Sequence, residues 1–153
     1  MPQLFYTGVK GIVHKDGRLL LLSCPDQLGR SYWDIPGGRI EPDEDISATL
    51  LRELAEELPG LTSVQQGPLV HAARMARMLN DGNGLMLLFY LVSGDISNKP
   101  ELSEEHTGYR WVTREQAETV GDDQTYIDEG YRTALLNAFT FIDSQSYATQ
   151  RTI

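Results

Sequence analysis

From Phe5 to His14 apolar and polar positions alternate loosely, with Val9, Ile12 and Val13 as inward candidates, and the segment predicts a β-strand. Lys15-Asp16-Gly17-Arg18 carries the Asp-Gly signal of a tight hairpin. Arg18 to Ser23 reads as the return strand, apolar enough to be covered on both faces. A polar loop, Pro25 to Ser31, leads to a short strand at Tyr32 to Ile35, which breaks at Pro36-Gly37-Gly38. Beyond an acidic segment the period changes. Ile46, Leu50, Leu54 and Leu58 recur every four residues, with Leu51 and Ala55 widening the stripe into a core-facing helix surface. Asp43 or Asp45 is placed to cap that helix, and acids in its first turn would suit the dipole.

The second half repeats the alternation. Val64 to Met78 reads as extended pieces broken by Gly67-Pro68, Asp81-Gly82-Asn83-Gly84 as a turn, and Leu85 to Ser93 as the strand returning from it. Asp95 to His106 is a polar loop, and Tyr109 to Val112 a short strand. Thr113 caps a brief helix, Arg114 to Val120, which Gly121-Asp122-Asp123 ends. Tyr131, Leu135, Ala138, Phe139 and Ile142 space a closing helix from about Ile127 to Ile142, and the tail after Ser144, without a core pattern, is expected to fray. Strands, one central helix, more strands and closing helices predict an α/β fold, a mixed sheet between helices in an α/β/α sandwich.

The length of 153 residues suits one domain, 1–153, with a real core. A net charge of −9 without a basic stripe argues against a nucleic acid polymer as partner, while a small anionic substrate stays compatible if a bound metal supplies positive charge. Cys24 is the single cysteine, so no internal disulfide forms, and its place at the end of Leu19-Leu20-Leu21-Leu22-Ser23 suggests a packed thiol. The start carries no basic segment followed by a long apolar one, so no signal peptide is expected. Leu85 to Val92, the longest apolar run, is too short to span a bilayer. No membrane partner is expected, and cytoplasmic location is the default. A homodimer is left open.

The polar face of the central helix carries the candidate chemistry. Glu53, Glu56 and Glu57 stand at i, i+3 and i+4, so their carboxylates converge, repel one another and call for a cation. Hard oxygen ligands of this kind suit Mg²⁺ or Mn²⁺, which also accept substrate phosphates. A solvated acidic face would explain a bare E-x-x-E-E equally well. The wider spacing decides between them: Gly38, five residues, Glu44, seven residues, then Arg52-Glu53-Leu54-Ala55-Glu56-Glu57. This resembles the box of the Nudix hydrolases, G-x5-E-x7-R-E-U-x-E-E-x-G-U, where U is a bulky apolar residue, and it matches from Gly38 through Glu57. At the end the chain has Leu58-Pro59-Gly60-Leu61, one residue longer than the pattern, and Pro59 should alter how the helix stops.

The resemblance implies the Nudix α/β/α sandwich and a MutT-like, metal-dependent pyrophosphohydrolase. Its substrate would be a nucleoside diphosphate linked to another group, with (d)NTPs as the nearest analogy from the Trp33-Asp34-Ile35-Pro36-Gly37-Gly38 entry. Glu53, Glu56 and Glu57 would hold Mg²⁺ or Mn²⁺ with a backbone carbonyl of Gly37 or Gly38. Arg52 would orient a catalytic carboxylate, and Glu44 would support it. Family members often recruit one more carboxylate from a loop beyond the sheet. Glu105 is preferred to Glu104 here because His106 beside it could orient it. Trp33 is a candidate to stack on a base, and Arg74 and Arg77 to fork onto phosphate oxygens. Core packing for Trp33 and an ordinary charged hairpin for the arginines are the alternatives. Two other functions compete: a nucleotide-sensing module that does not cut, which would be expected to have lost box carboxylates, and an isoprenoid diphosphate isomerase, for which Cys24 in an apolar strand is a poor nucleophile.

Overall fold

The computed structural model describes residues 1–121 and 124–151. Its elements are β1 (Phe5–Lys15), β2 (Arg18–Pro25), β3 (Ser31–Asp34), β4 (Gly37–Arg39), α1 (Ile46–Glu57), β5 (Thr62–Arg74), β6 (Gly84–Asp95), β7 (Gly108–Val112), α2 (Arg114–Thr119) and α3 (Glu129–Arg151). The sheet runs β3-β2-β1-β6-β5, with β4 paired to β1 and β7 to β2. β1 and β6 are parallel from Phe5 against Gly84 to Val13 against Val92, and the other pairs are antiparallel. The sheet is therefore mixed, as expected.

Strand periodicity sorts its side chains into two cores. Val9 and Val13 of β1, Leu20 and Leu22 of β2, and Val92 of β6 pack with Leu50, Leu54 and Leu58 of the central helix. Ile12, Leu19, Leu21, Leu87, Phe89 and Leu91 pack on the other face with Ala117 of α2 and Ala134, Leu135, Ala138 and Phe139 of α3. The Leu19–Leu22 run is unbroken because both of its faces are covered. At Gly11 a Cβ would meet Leu50 and Leu54 at 3.0 and 3.2 Å, so the missing side chain lets α1 lie close to the sheet.

Several local expectations hold and others change. The hairpin turn has positive φ at both Asp16 and Gly17, 52° and 76°, the backbone that a two-residue type I′ loop requires. Asp45 caps α1 by accepting from the Ala48 N–H at 2.8 Å, but the first turn contains no acid, since Asp43 and Glu44 precede the cap. The helix stripe is narrower than its apolar content suggests. Leu51 is 48% exposed and Ala55 is exposed, and Thr49 and Glu57 are the buried positions beside Leu50 and Leu54. The Gly37-Gly38 break is a short strand: Gly38 pairs with Val9 and Gly37 with Lys10. β5 is one strand through Gly67-Pro68, where its register against β6 shifts between Gln66 and Leu69 because proline offers no N–H.

α2 starts on a capping box between Thr113 and Gln116. α3 begins two residues after the expected start and continues to Arg151. Of the break expected at Gly121-Asp122-Asp123, the two aspartates lie outside the described residues. Among the described residues no helix is long and apolar enough to cross a membrane.

The two faces of α1 should respond differently to truncation. Leu54→Ala is expected to cost about 2–5 kcal/mol of unfolding free energy, whereas Leu51→Ala stays within about 0.5 kcal/mol of the parent. Chemical denaturation of both variants measures the contrast, and comparable losses would place Leu51 in the core.

Candidate active site

The site forms where β1, β3, β4 and α1 meet. β4 approaches β1 so closely that a Cβ on Gly37, which has φ of 149°, would strike the Val9 carbonyl oxygen and lie 2.8 Å from the Lys10 Cα. A Cβ on Gly38 would fall on the Glu53 carboxylate. Both glycines are thus demanded by contact, and Gly37 by its backbone conformation as well. They bring the polar face of the helix down onto the strand, and the Gly37 N–H donates to Glu57 Oε2 at 2.6 Å.

Glu57 is only 4% exposed. Burial pushes its carboxyl up to about 7, with Lys10 and the Gly37 N–H pulling the other way. Burial also raises Glu53. Arg52 gathers the other box acids. Its Nε and Nη2 donate to the two oxygens of Glu44 at 2.7 and 2.9 Å, and Nη1 donates to Glu53 Oε1 at 3.0 Å. Glu56 Oε1 lies 3.6 Å from Nη1. The guanidinium holds Glu44 down to about 2, and Thr49 Oγ1 donates to Glu44 at 3.1 Å. Arg52 and Glu44 therefore act together as the clamp that sets the position of Glu53.

Beneath the box lies a buried polar chain that the sequence reading did not single out. The Lys10 ammonium donates to Asp34 Oδ1 at 3.1 Å. Burial alone would discharge Lys10, but Asp34, Tyr131 and Glu57 outweigh it and keep the ammonium protonated. Burial likewise opposes ionisation of Asp34, yet Lys10 and His106 hold it below the usual carboxylate range. His106 Nε2 lies 3.2 Å from Asp34 Oδ2. The expected partnership of His106 with Glu105 is replaced by this one. One signal was available: Lys10 and Asp34 are charged residues set inside apolar strands.

The loop carrying Glu105 reaches the site because α1 stops early. Pro59 cannot continue the helix, Leu61 N–H turns back to the Leu58 carbonyl at 3.0 Å, and the Glu57 carbonyl accepts instead from the Ser103 N–H at 3.2 Å. That contact seats residues 102–106 against the helix end. A carboxylate oxygen of Glu57, one of Glu105 and a ring nitrogen of His106 then lie within 4.8 Å of one another. Glu53 and Glu56 pair with Arg52 instead. A divalent cation fits this chemistry: carboxylates gathered around one buried acid, and a buried imidazole nitrogen, His106 Nδ1, with no hydrogen-bond partner among the described residues.

A cleft of about 910 Å³ lies beside the cluster, lined among others by Cys24, Leu28, Arg30, Tyr32, Arg77 and Met78. Cys24 is half-buried at the end of its strand and not packed in the core. Its sulfur is also within 4.8 Å of an Asp34 oxygen and a His106 nitrogen, so it joins the cleft to the polar chain. Burial raises its thiol, which makes it a weak nucleophile. Of the expected substrate contacts, Arg77 lines the cleft. Arg74 sits over the Phe5 ring at 5.2 Å, and Trp33 packs against the α3-side core. Tyr32 takes the cleft-facing position, one residue before Trp33 and on the opposite side of the strand.

Glu57 should leave a signature in metal-free protein. Its native carboxyl titrates near 7 against a reference of 4.5, so the folded state retains a proton that the unfolded chain releases across that window. Stability therefore falls as pH rises from 4.5 through 7. Glu57→Gln removes this slope and should be the more stable protein near pH 8, by on the order of 2 kcal/mol, with the gap closing toward acid. Urea denaturation in chelator across pH tests it; a gap independent of pH would show that Glu57 is not strained by burial.

Comparison with known proteins agrees with the geometry. A family model describing the NUDIX domain matches residues 6–132. The nucleoside triphosphatase NudI of Escherichia coli K12 is 30% identical over 111 residues, 68% of this chain and 79% of that protein. The CTP pyrophosphohydrolase of the same organism is 43% identical over 51 residues, 33% of this chain and only 38% of that protein's length. The solution structure of the E. coli ORF135 protein superposes with a TM-score of 0.68 at 25% identity, covering 94% of each chain. A MutT protein from Methanosarcina mazei Go1 superposes at 0.69 with 20% identity, over 95% of this chain and 98% of that one. With the box, the sandwich and these matches in agreement, the chain belongs to the Nudix hydrolase family.

Proposed function

We propose that this protein is a divalent-metal-dependent pyrophosphohydrolase of small nucleotides, with nucleoside triphosphates as its substrate class. The observation that carries the reading is the continuity, through Cys24 and His106, between an open cleft lined by Tyr32, Arg77 and the Arg30–Asp26 pair and the cluster that joins Glu57 of the box to Glu105. The names of two similar proteins, a nucleoside triphosphatase and a CTP pyrophosphohydrolase, support the same class.

In this reading Tyr32 offers a ring face to the base, and Arg77 with Arg30 forks onto phosphate oxygens. Glu53, Glu56, Glu57 and the Gly38 carbonyl, joined by Glu105, would hold Mg²⁺ or Mn²⁺. Such an ion would supply positive charge beside the phosphoanhydride oxygens and a more acidic water. Arg52, clamped by Glu44, keeps Glu53 in place, and the glycines of β4 let that strand lie against the helix face that carries the acids. Glu105 is the loop acid that serves the reaction, because it and not Glu104 shares the 4.8 Å cluster with Glu57.

A panel of NTPs, dNTPs and oxidised dNTPs, ADP-ribose, dinucleoside polyphosphates and nucleotide sugars is the direct test. Turnover should peak on a triphosphate, vanish in EDTA and return with Mg²⁺ or Mn²⁺. Undiminished turnover in excess chelator would sink the metal assignment, and nucleotide binding without cleavage would favour a sensing module.

Charge-removing variants sharpen the roles. Glu56→Gln and Glu105→Gln should lower kcat by about 10²-fold or more, while Glu104→Gln keeps parental kcat and the acidic limb of its pH–rate profile. If the Glu105 variant matches the parent in both, the loop takes no part in the chemistry.

A further inference from the structure

His106 is built like a metal ligand, and nothing in the box pattern requires it. Its side chain is 1% exposed. Nε2 faces the Asp34 carboxylate at 3.2 Å, and the tautomer that donates to that acceptor from Nε2 leaves the ring's lone pair on Nδ1. Nδ1 is buried and has no hydrogen-bond partner among the described residues. Leaving such a nitrogen unsatisfied is costly in a folded interior. The ring cannot readily turn away. Asp34 is itself anchored through its other oxygen by Lys10 at 3.1 Å, and the loop is tied down by Ser103 N–H to Glu57 O at 3.2 Å and Thr107 N–H to Ser23 O at 2.9 Å. A histidine whose far nitrogen is oriented by a carboxylate is the arrangement proteins use to present the near nitrogen to a metal.

We propose that His106 Nδ1 is a nitrogen ligand in the metal site, completing a set with Glu57 and Glu105, and that it biases the site toward Mn²⁺ over Mg²⁺. The inference rests on the metal-dependent reading above and adds to it a donor of a different chemical kind. Two carboxylates supply the charge that a divalent ion needs, and their ligand oxygens lie within 4.8 Å of a His106 ring nitrogen. Lys10 does not oppose the ion strongly, because its charge is matched by Asp34. An imidazole is a softer donor than the all-oxygen set that Mg²⁺ prefers, and Mn²⁺ accepts it more readily.

The test needs no turnover. The full chain is loaded with substoichiometric Mn²⁺ and examined by electron spin-echo modulation, prepared once with natural histidine and once with ¹⁵N-labelled histidine. The expected result is a directly coordinated ¹⁴N coupling that converts to ¹⁵N on labelling. It should persist in His14→Gln and His71→Gln and disappear in His106→Gln. Calorimetry should show a Mn²⁺ preference over Mg²⁺ that narrows by about 10-fold or more in His106→Gln. Absence of nitrogen coupling in the unmodified protein overturns the proposal, even if the variant fails to fold. So does a thiolate charge-transfer band on loading Co²⁺, which would put the ion among Cys24, Asp34 and His106 instead. Nitrogen coupling without hydrolysis on the nucleotide panel would keep the ligand and reject the function; hydrolysis without nitrogen coupling would do the reverse.

Discussion

The buried ion pair between Lys10 and Asp34 is the interaction on which the site depends. Two charges removed from water at 3.1 Å gain little net stability by themselves, because desolvation consumes most of their attraction. Their value lies in what each holds. Asp34 orients His106 through its second oxygen, and Lys10 supplies the interior positive charge felt by Glu57. Losing either partner would strand the other, so the pair fixes the floor of the site.

Above that floor, acids are divided by which cation or donor claims them. Arg52 takes Glu44, Glu53 and, more loosely, Glu56, while Glu57 turns inward to the Gly37 N–H and the loop. The division follows from the helix. Glu57 stands one residue before the C-cap, where α1 is pressed against β4, and Glu56 on the outer side of the same turn stays 59% exposed. A cluster of repelling carboxylates survives in the folded state because one arginine and one buried lysine share it between them.

The extra residue at the end of the box has a structural use. Pro59 terminates α1 and frees the Glu57 carbonyl, and the Ser103 N–H takes that carbonyl. A departure from the family pattern thereby becomes the seat of the loop that delivers Glu105 and His106. The same loop closes the distance between the box and the cleft, since His106 touches Asp34 and its cluster includes Cys24.

Much of this molecule was determined by local sequence. Period-two alternation, the Asp16-Gly17 turn, the Thr113 cap and the Leu50/Leu54/Leu58 stripe specify the elements, because each is decided by neighbours within a turn or a hairpin. The spacing from Gly38 to Glu57 specified the family for the same reason: those residues lie on one turn, one strand and one helix. Leu51 and Ala55 looked inward by composition, and only the direction in which α1 docks, set by Gly11 and the sheet, turned them outward. Trp33 and Tyr32 could not be assigned to core and cleft until β3 had a face on each side. The union of Lys10, Asp34, Glu57 and His106 was decided by tertiary structure alone. It joins residues 96 positions apart in sequence, from Lys10 to His106, through contacts that no local period encodes.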